Sequence, residues 1–171
     1  FRAVDIQGIV GRTLDSSVAK QIGKALGSEA YERGDQTLIV ARDGRVSGAD
    51  LSSAFIDGLL ETGRDVIDIG AVPIPVLYFA MQELGVSSGV MVTASHMPAN
   101  VNGFRIILGG RDLPAKQIKG LYHRINNENF LSGEGRIQKQ DVRAKYIKRI
   151  LKAVDVPRKL KVVVDGGHGI A

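Results

Sequence analysis

Apolar side chains recur at helical spacing through Val18, Ile22, Ala25, Leu26 and Ala30, which predicts an amphipathic helix capped by Asp15 or Ser16 and ending near Gly34. Thr37 to Ala41 reads as a short strand. A second helix from Ser47 carries Leu51, Phe55, Leu59 and Leu60 on one stripe and stops at Gly63, leading into a strand over Asp65 to Gly70. Pro75 fits the first turn of a helix over 75–84. Ser88 to Thr93 is a nearly continuous apolar strand, and Gly103 to Leu108 reads as its neighbour. Helices over about 114–127 and 140–153 and a strand from Leu160 to Asp165 complete the pattern. Strands of four to six residues separated by helices predict a three-layer α/β/α sandwich with a mostly parallel, mixed sheet covered on both faces.

The carboxyl end changes the domain picture. A strand there runs into the Gly-rich Gly166 to Gly169 with no helix after it, and a buried-type strand without its crossover is an improbable terminus. The start at Phe1 without Met points the same way. The expectation is a piece of a longer chain, with a first domain over 1–135 and a connector helix plus the opening of a second domain over 136–171. The chain contains no internal repeat and no low-complexity tract.

Composition adds limits rather than a function. The 171 residues are 44% hydrophobic and 24% charged and include no cysteine, so a packed core needs no disulfide. With no signal peptide and no apolar run of about 18 residues, the chain reads as soluble, cytoplasmic and without a membrane partner. The net charge of +5 is uneven: residues 114–161 hold 13 Lys/Arg against four Asp/Glu. Tryptophan is absent and aromatics make up 5%, which leaves that basic stretch without a base-stacking surface and disfavours nucleic acid as a partner. In the helix over 140–153, Val142, Tyr146 and Ile150 should face a core and Lys145, Lys148, Arg149 and Lys152 the solvent.

The segment richest in chemistry is Thr93 to Gly103, where a hydroxyl, an imidazole, two amides, a proline and a glycine follow a buried strand. Loops at the carboxyl ends of parallel strands are where α/β proteins place ligands. Ser95 is the candidate nucleophile, a role that requires an activating base or a phosphate-stabilising environment, and His96 adjoins it to orient it or hold phosphate charge. Read without that context, the same residues are ordinary turn formers. A serine-hydrolase elbow is excluded by the lack of Gly-x-Ser-x-Gly, and three histidines leave little choice of triad partner. His123 reads as solvent-facing. His168, in Gly-Gly-His-Gly without Gly-Lys-Ser/Thr, reads as an interdomain turn rather than a P-loop.

Four segments, Phe1-Arg-Ala-Val-Asp-Ile-Gln-Gly8, Ala41-Arg-Asp-Gly-Arg-Val-Ser-Gly48, Val72-Pro-Ile-Pro-Val-Leu-Tyr-Phe79 and Thr93-Ala-Ser-His-Met-Pro98, occur in the order found in α-D-phosphohexomutases. The chain resembles the amino-terminal part of that family over essentially its whole length, and Val164 to Ala171 resembles the family's second-domain opening. The resemblance implies that Ser95 carries a phosphoryl group exchanged with a hexose 1- or 6-phosphate (mannose or glucose) through a hexose bisphosphate. It implies Mg²⁺ held in part by a phosphate oxygen on Ser95, the remaining carboxylates belonging to a later Asp-Gly-Asp-x-Asp motif that these residues lack. By the same resemblance His96 follows the phosphoserine, Arg42 and Arg45 belong to an Arg-Asp-x-Arg phosphate-binding segment, and Asn102 with Gly103 brings the chain back to the serine loop. For Arg42 and Asp43 a capping or pairing role at the start of the helix near Ser47 is an equal alternative.

The chain departs from the family pattern at Val4 and Gln7, which stand for tyrosine and a phosphate-binding arginine, and at Met97, which replaces an asparagine. Asn100 and Val101 stand where Asp-Tyr is common, and Arg105 replaces a catalytic lysine. Arginine keeps the charge but is a poor general acid or base. The departures raise an alternative, a degenerate paralogue that binds phosphate or a partner without turnover. The missing carboxyl-terminal domains would supply sugar selection, and the fragment alone is expected to be inactive.

Overall fold

The computed structural model describes residues 5–167, 169 and 170; Val4 and His168 lie outside them. The elements are β1 (Ile6–Ile9), α1 (Ser16–Glu32), β2 (Thr37–Arg42), α2 (Gly48–Leu60), β3 (Asp65–Ala71), α3 (Ile74–Leu84), β4 (Ser88–Val92), β5 (Val101–Leu108), β6 (Arg111–Asp112), α4 (Ala115–Asn126), β7 (Ile137–Lys139) and α5 (Arg143–Ala153). One sheet orders the strands β1-β5-β4-β2-β3-β7, with β6 paired to β5. The pairs β2–β3, β2–β4 and β3–β7 are parallel, whereas β5 is antiparallel to β1, β4 and β6, so β5 alone runs against the rest.

Period-two alternation sends each strand's side chains to two separate cores. Leu38, Val40, Val66, Val90, Val92, Phe104 and Ile106 pack under α1, α2 and α4, where Ile22, Phe55 and Leu121 are fully or almost fully buried. The rings of Phe55 and Phe104 stack at 4.9 Å. Ile39, Ala41, Met91 and Ile107 point the other way, under Val76, Leu77 and Ala80 of α3. This is the expected three-layer sandwich. Gly23 and Gly58 let α1 and α2 meet closely, since a Cβ on either would lie 2.2 Å from a carbonyl oxygen of the facing helix.

Asp15 caps α1 as expected, its Oδ1 accepting from the Val18 N–H at 2.8 Å. Pro75 lies in the first turn of α3. Four features differ from the sequence reading. Strands β1 and β6 form against β5, where no strand is expected. The short β7 extends the sheet beside β3, and Val142 is fully buried in the second core, so this unit's packing reaches past residue 135. The last helix starts at Arg143 because Asp141 accepts the Arg143 N–H; Tyr146 packs on the second core but Ile150 is 44% exposed. The strand expected over Leu160 to Asp165 is not formed: no neighbouring strand among the described residues pairs its backbone, and Val163 is 93% exposed. None of the helices among the described residues is long and apolar enough to cross a membrane.

Candidate active site

From β2 the chain crosses by α2 to β3 on one side, and from β3 it returns over the opposite face by α3 to β4 on the other side of β2. The connections therefore diverge between β2 and β4, and a crevice outside the carboxyl ends of such strands is where open α/β sheets bind ligands. Two turns meet there: residues 43–47 after β2, and the serine loop after β4. The Asp43 N–H donates to the Val92 carbonyl and the Thr93 N–H to the Gly103 carbonyl, carrying the ladder to the edge of the loop.

Ser95 is exposed and has φ 54°; Glu128 is the other non-glycine residue with positive φ among those described. That conformation costs on the order of 1–3 kcal/mol and persists only where surroundings impose it. The Ser95 N–H donates to Thr93 Oγ1 at 3.0 Å, and the Thr93 hydroxyl donates to Asp43 Oδ2 at 2.6 Å. Asp43 Oδ1 accepts the Arg45 N–H, and Oδ2 faces Arg45 Nε at 3.3 Å. Arg45 Nη1 then donates to the carbonyls of Pro98 and Val101, and Nη2 to those of Ser95 and Met97, at 2.7 to 2.9 Å. Ser95 Oγ lies 3.3 Å from His96 Nδ1, with both side chains exposed.

The other anticipated residues point elsewhere. Asn102 is fully buried, donating to Ser47 Oγ at 2.9 Å and accepting the Gly103 N–H at 2.8 Å. Ser47 thus serves the loop, since it makes no side-chain cap on α2. Arg42 donates weakly to the Asp43 carbonyl and lines a cleft with Ser52, Asp57 and Lys139 on the β3 side of α2. Gln7 pairs across β1 with Gly103, its amide donating to Asp5 Oδ2 at 2.6 Å. Gly103 is required there, because a Cβ would lie 2.2 Å from the Ile6 carbonyl.

Arg105 projects on the α3 side and makes a two-pronged pair with Asp112 of β6 at 2.9 and 3.2 Å, beside Tyr78. The bond to Asp112, more than any other neighbour, raises its pKa above the ordinary arginine value, so it stays charged and does not trade protons. His123 is exposed, as expected. Among the described residues no cluster of three or more His, Cys, Asp or Glu could hold a metal. Asp43, the carboxylate bonded to the loop through Thr93, is engaged by Thr93 and Arg45, so it is not free to ligate Mg²⁺. A cleft of about 720 Å³ runs along α1 past Lys20, Lys24 and Phe130, away from the serine loop, and its two lysines pair with Glu61.

Residue type identified the loop and its serine and allowed a pairing role for Asp43, while the bond that ties Asp43 to the loop through Thr93 emerges only from the fold. The signal for them was a carboxylate and a hydroxyl, each directly following a buried strand.

The family described as phosphoglucomutase/phosphomannomutase, alpha/beta/alpha domain I, matches residues 1–132. The phosphomannomutase/phosphoglucomutase of Pseudomonas aeruginosa is 44% identical over all 171 residues, and a phosphoglucomutase of Neisseria meningitidis is 38% identical over 99% of the chain. This chain spans 37% of the length of each. A crystal structure of a phosphoglucomutase/phosphomannomutase family protein from Burkholderia thailandensis superposes with TM-score 0.88 at 43% identity, covering 92% of this chain and 36% of that one. A Thermus thermophilus structure at 24% identity shares the fold, with TM-score 0.78. The ordered motifs, the sandwich and these likenesses agree: the chain belongs to the phosphoglucomutase/phosphomannomutase family and supplies its first α/β/α domain.

Proposed function

We propose that this chain is the phosphoserine-bearing part of an enzyme that interconverts hexose 1-phosphate and hexose 6-phosphate, with Ser95 Oγ as the phosphoryl carrier. The observation that carries the reading is an exposed serine hydroxyl held in a left-handed backbone conformation at the sheet's divergence point. The phosphorylated serine presents its phosphorus to a hydroxyl of the bound hexose monophosphate. The bond from phosphorus to Oγ breaks as the bond to the sugar oxygen forms, and the proton given up by the sugar hydroxyl ends on the departing Oγ, which becomes the serine hydroxyl again. The bisphosphate turns over and returns its other phosphoryl group to Oγ, leaving the isomeric monophosphate.

Little covalent chemistry is asked of the protein in such a step, so positioning and charge carry the rate. His96 Nδ1, 3.3 Å from Oγ, is the group of this chain placed to orient the hydroxyl between transfers. Mg²⁺, when bound, would supply counter-charge to the phosphoryl oxygens, and Ser95, through its phosphate, would be this chain's contribution to holding it. Arg105 is held by Asp112 on the α3 side and takes no proton in this reading.

The test is phosphoryl uptake by the complete protein. Offered a hexose bisphosphate, it should gain one phosphoryl group on Ser95 by intact mass and peptide mapping, and Ser95→Ala should gain none. A second reading, a paralogue that binds phosphate without turnover, is favoured by the engagement of Asn102, Gln7 and Arg105 with protein partners. Uptake of phosphoryl with no turnover of hexose 1-phosphate would select it.

A further inference from the structure

We infer that Arg45 is a positioning residue that shapes the serine loop by holding its main chain, and that it does not bind the substrate's phosphate. The inference rests on Ser95 being the phosphoryl carrier. A guanidinium has five N–H groups. In Arg45 two on Nη1 face the carbonyls of Pro98 and Val101, two on Nη2 face those of Ser95 and Met97, and the one on Nε faces Asp43. No donor remains for a phosphate unless the loop comes apart. The planar fork is suited to this, since it reaches several carbonyls lying round one plane, whereas a lysine ammonium has three donors on a single nitrogen.

The four carbonyls also lie where they matter. One belongs to Ser95 itself and the others to the residues that bring the chain from Ser95 back to β5. On the other side, Asp43 orients the Arg45 side chain and accepts from Thr93, whose oxygen accepts the Ser95 N–H. Ser95 is thus held through its N–H by one branch and through its carbonyl by the other, both starting from the turn after β2. This is how a non-glycine residue is kept at φ 54° with its hydroxyl outward. A loop held this way presents the phosphoryl group in one orientation, and a displacement of about 1 Å in such a step costs on the order of 10²-fold in rate.

The experiment uses the complete protein and Arg45→Lys. Intact mass reads phosphoryl uptake on Ser95, hexose 1-phosphate turnover gives kcat and KM, and amide hydrogen exchange reads residues 94–102. In a folded Arg45→Lys protein, loop exchange should quicken by roughly tenfold or more, and kcat should fall on the order of 10²-fold with KM unchanged. Unchanged exchange or unchanged kcat would overturn the inference, as would a raised KM with kcat intact, which would assign Arg45 to substrate binding. Should Arg45→Lys not fold, Thr93→Val cuts the other branch and carries the same expectations, and Thr93→Ser should regain most of the loss. A wild-type protein that takes no phosphoryl on Ser95 would bring down the carrier reading and the rate argument with it, while loop exchange still decides the clamp.

Discussion

Asn102 is buried with both ends of its amide in use, one on Ser47 of the turn before α2 and the other on the backbone of β5. Its replacement by alanine leaves a half-buried hydroxyl and a buried N–H without these partners. We expect Asn102→Ala to lose about 1–3 kcal/mol of stability, measured by denaturant unfolding. The family resemblance puts Arg45 in a phosphate-binding segment, Gln7 in the place of a phosphate-binding arginine and Asn102 on the return to the serine loop. Residue type announces a capacity to hydrogen-bond but not its destination, which for Arg45 and Asn102 depends on atoms some fifty residues away in the chain. Ser95 was legible because its neighbours Thr93, His96 and Pro98 form an ordered motif. Its left-handed backbone was not, since only glycine and, less strongly, asparagine or aspartate advertise that conformation.

Among the elements, apolar periodicity located α1 to α4 and β2 to β5 to within a few residues, because each buries a face wide enough to leave a pattern. It missed β1 and β6, which pair with β5, and β7, whose three residues are all exposed and which owes its existence to the edge of β3. It also predicted a strand at 160–165 from composition alone, where pairing decides the matter. The contact of α1 with α2 carries a charge cluster at its rim. Lys20 and Lys24 both bond Glu61 and hold its carboxyl below the ordinary glutamate value, while Lys20 is raised by the same pair. A lowered carboxyl pKa contributes stability above the unfolded value and loses it as pH falls through the folded one. Glu61→Gln should therefore melt slightly below the parent at pH 7, and the gap should close on acidification below the usual carboxylate range. High salt should shrink it too, because the pair is largely exposed.

At the scale of the whole molecule, the basic excess of residues 114–161 falls mainly on α4, α5 and the segment after α5, on and beyond the outer layers of the sandwich. The serine loop stands apart from it, over the middle of the sheet. This chain covers 37% of the length of the Pseudomonas aeruginosa and Neisseria meningitidis relatives. Within the part described, the grip on the loop reads carbonyl oxygens, which every amino acid possesses. Substitutions at 97, 99 or 100 can thus alter the lining of the crevice while its contour stays put. Met97→Asn should change phosphoryl uptake without changing amide exchange over 94–102. Chemistry at this spot is free to drift along a lineage, because the scaffold beneath it is indifferent to the side chains it carries.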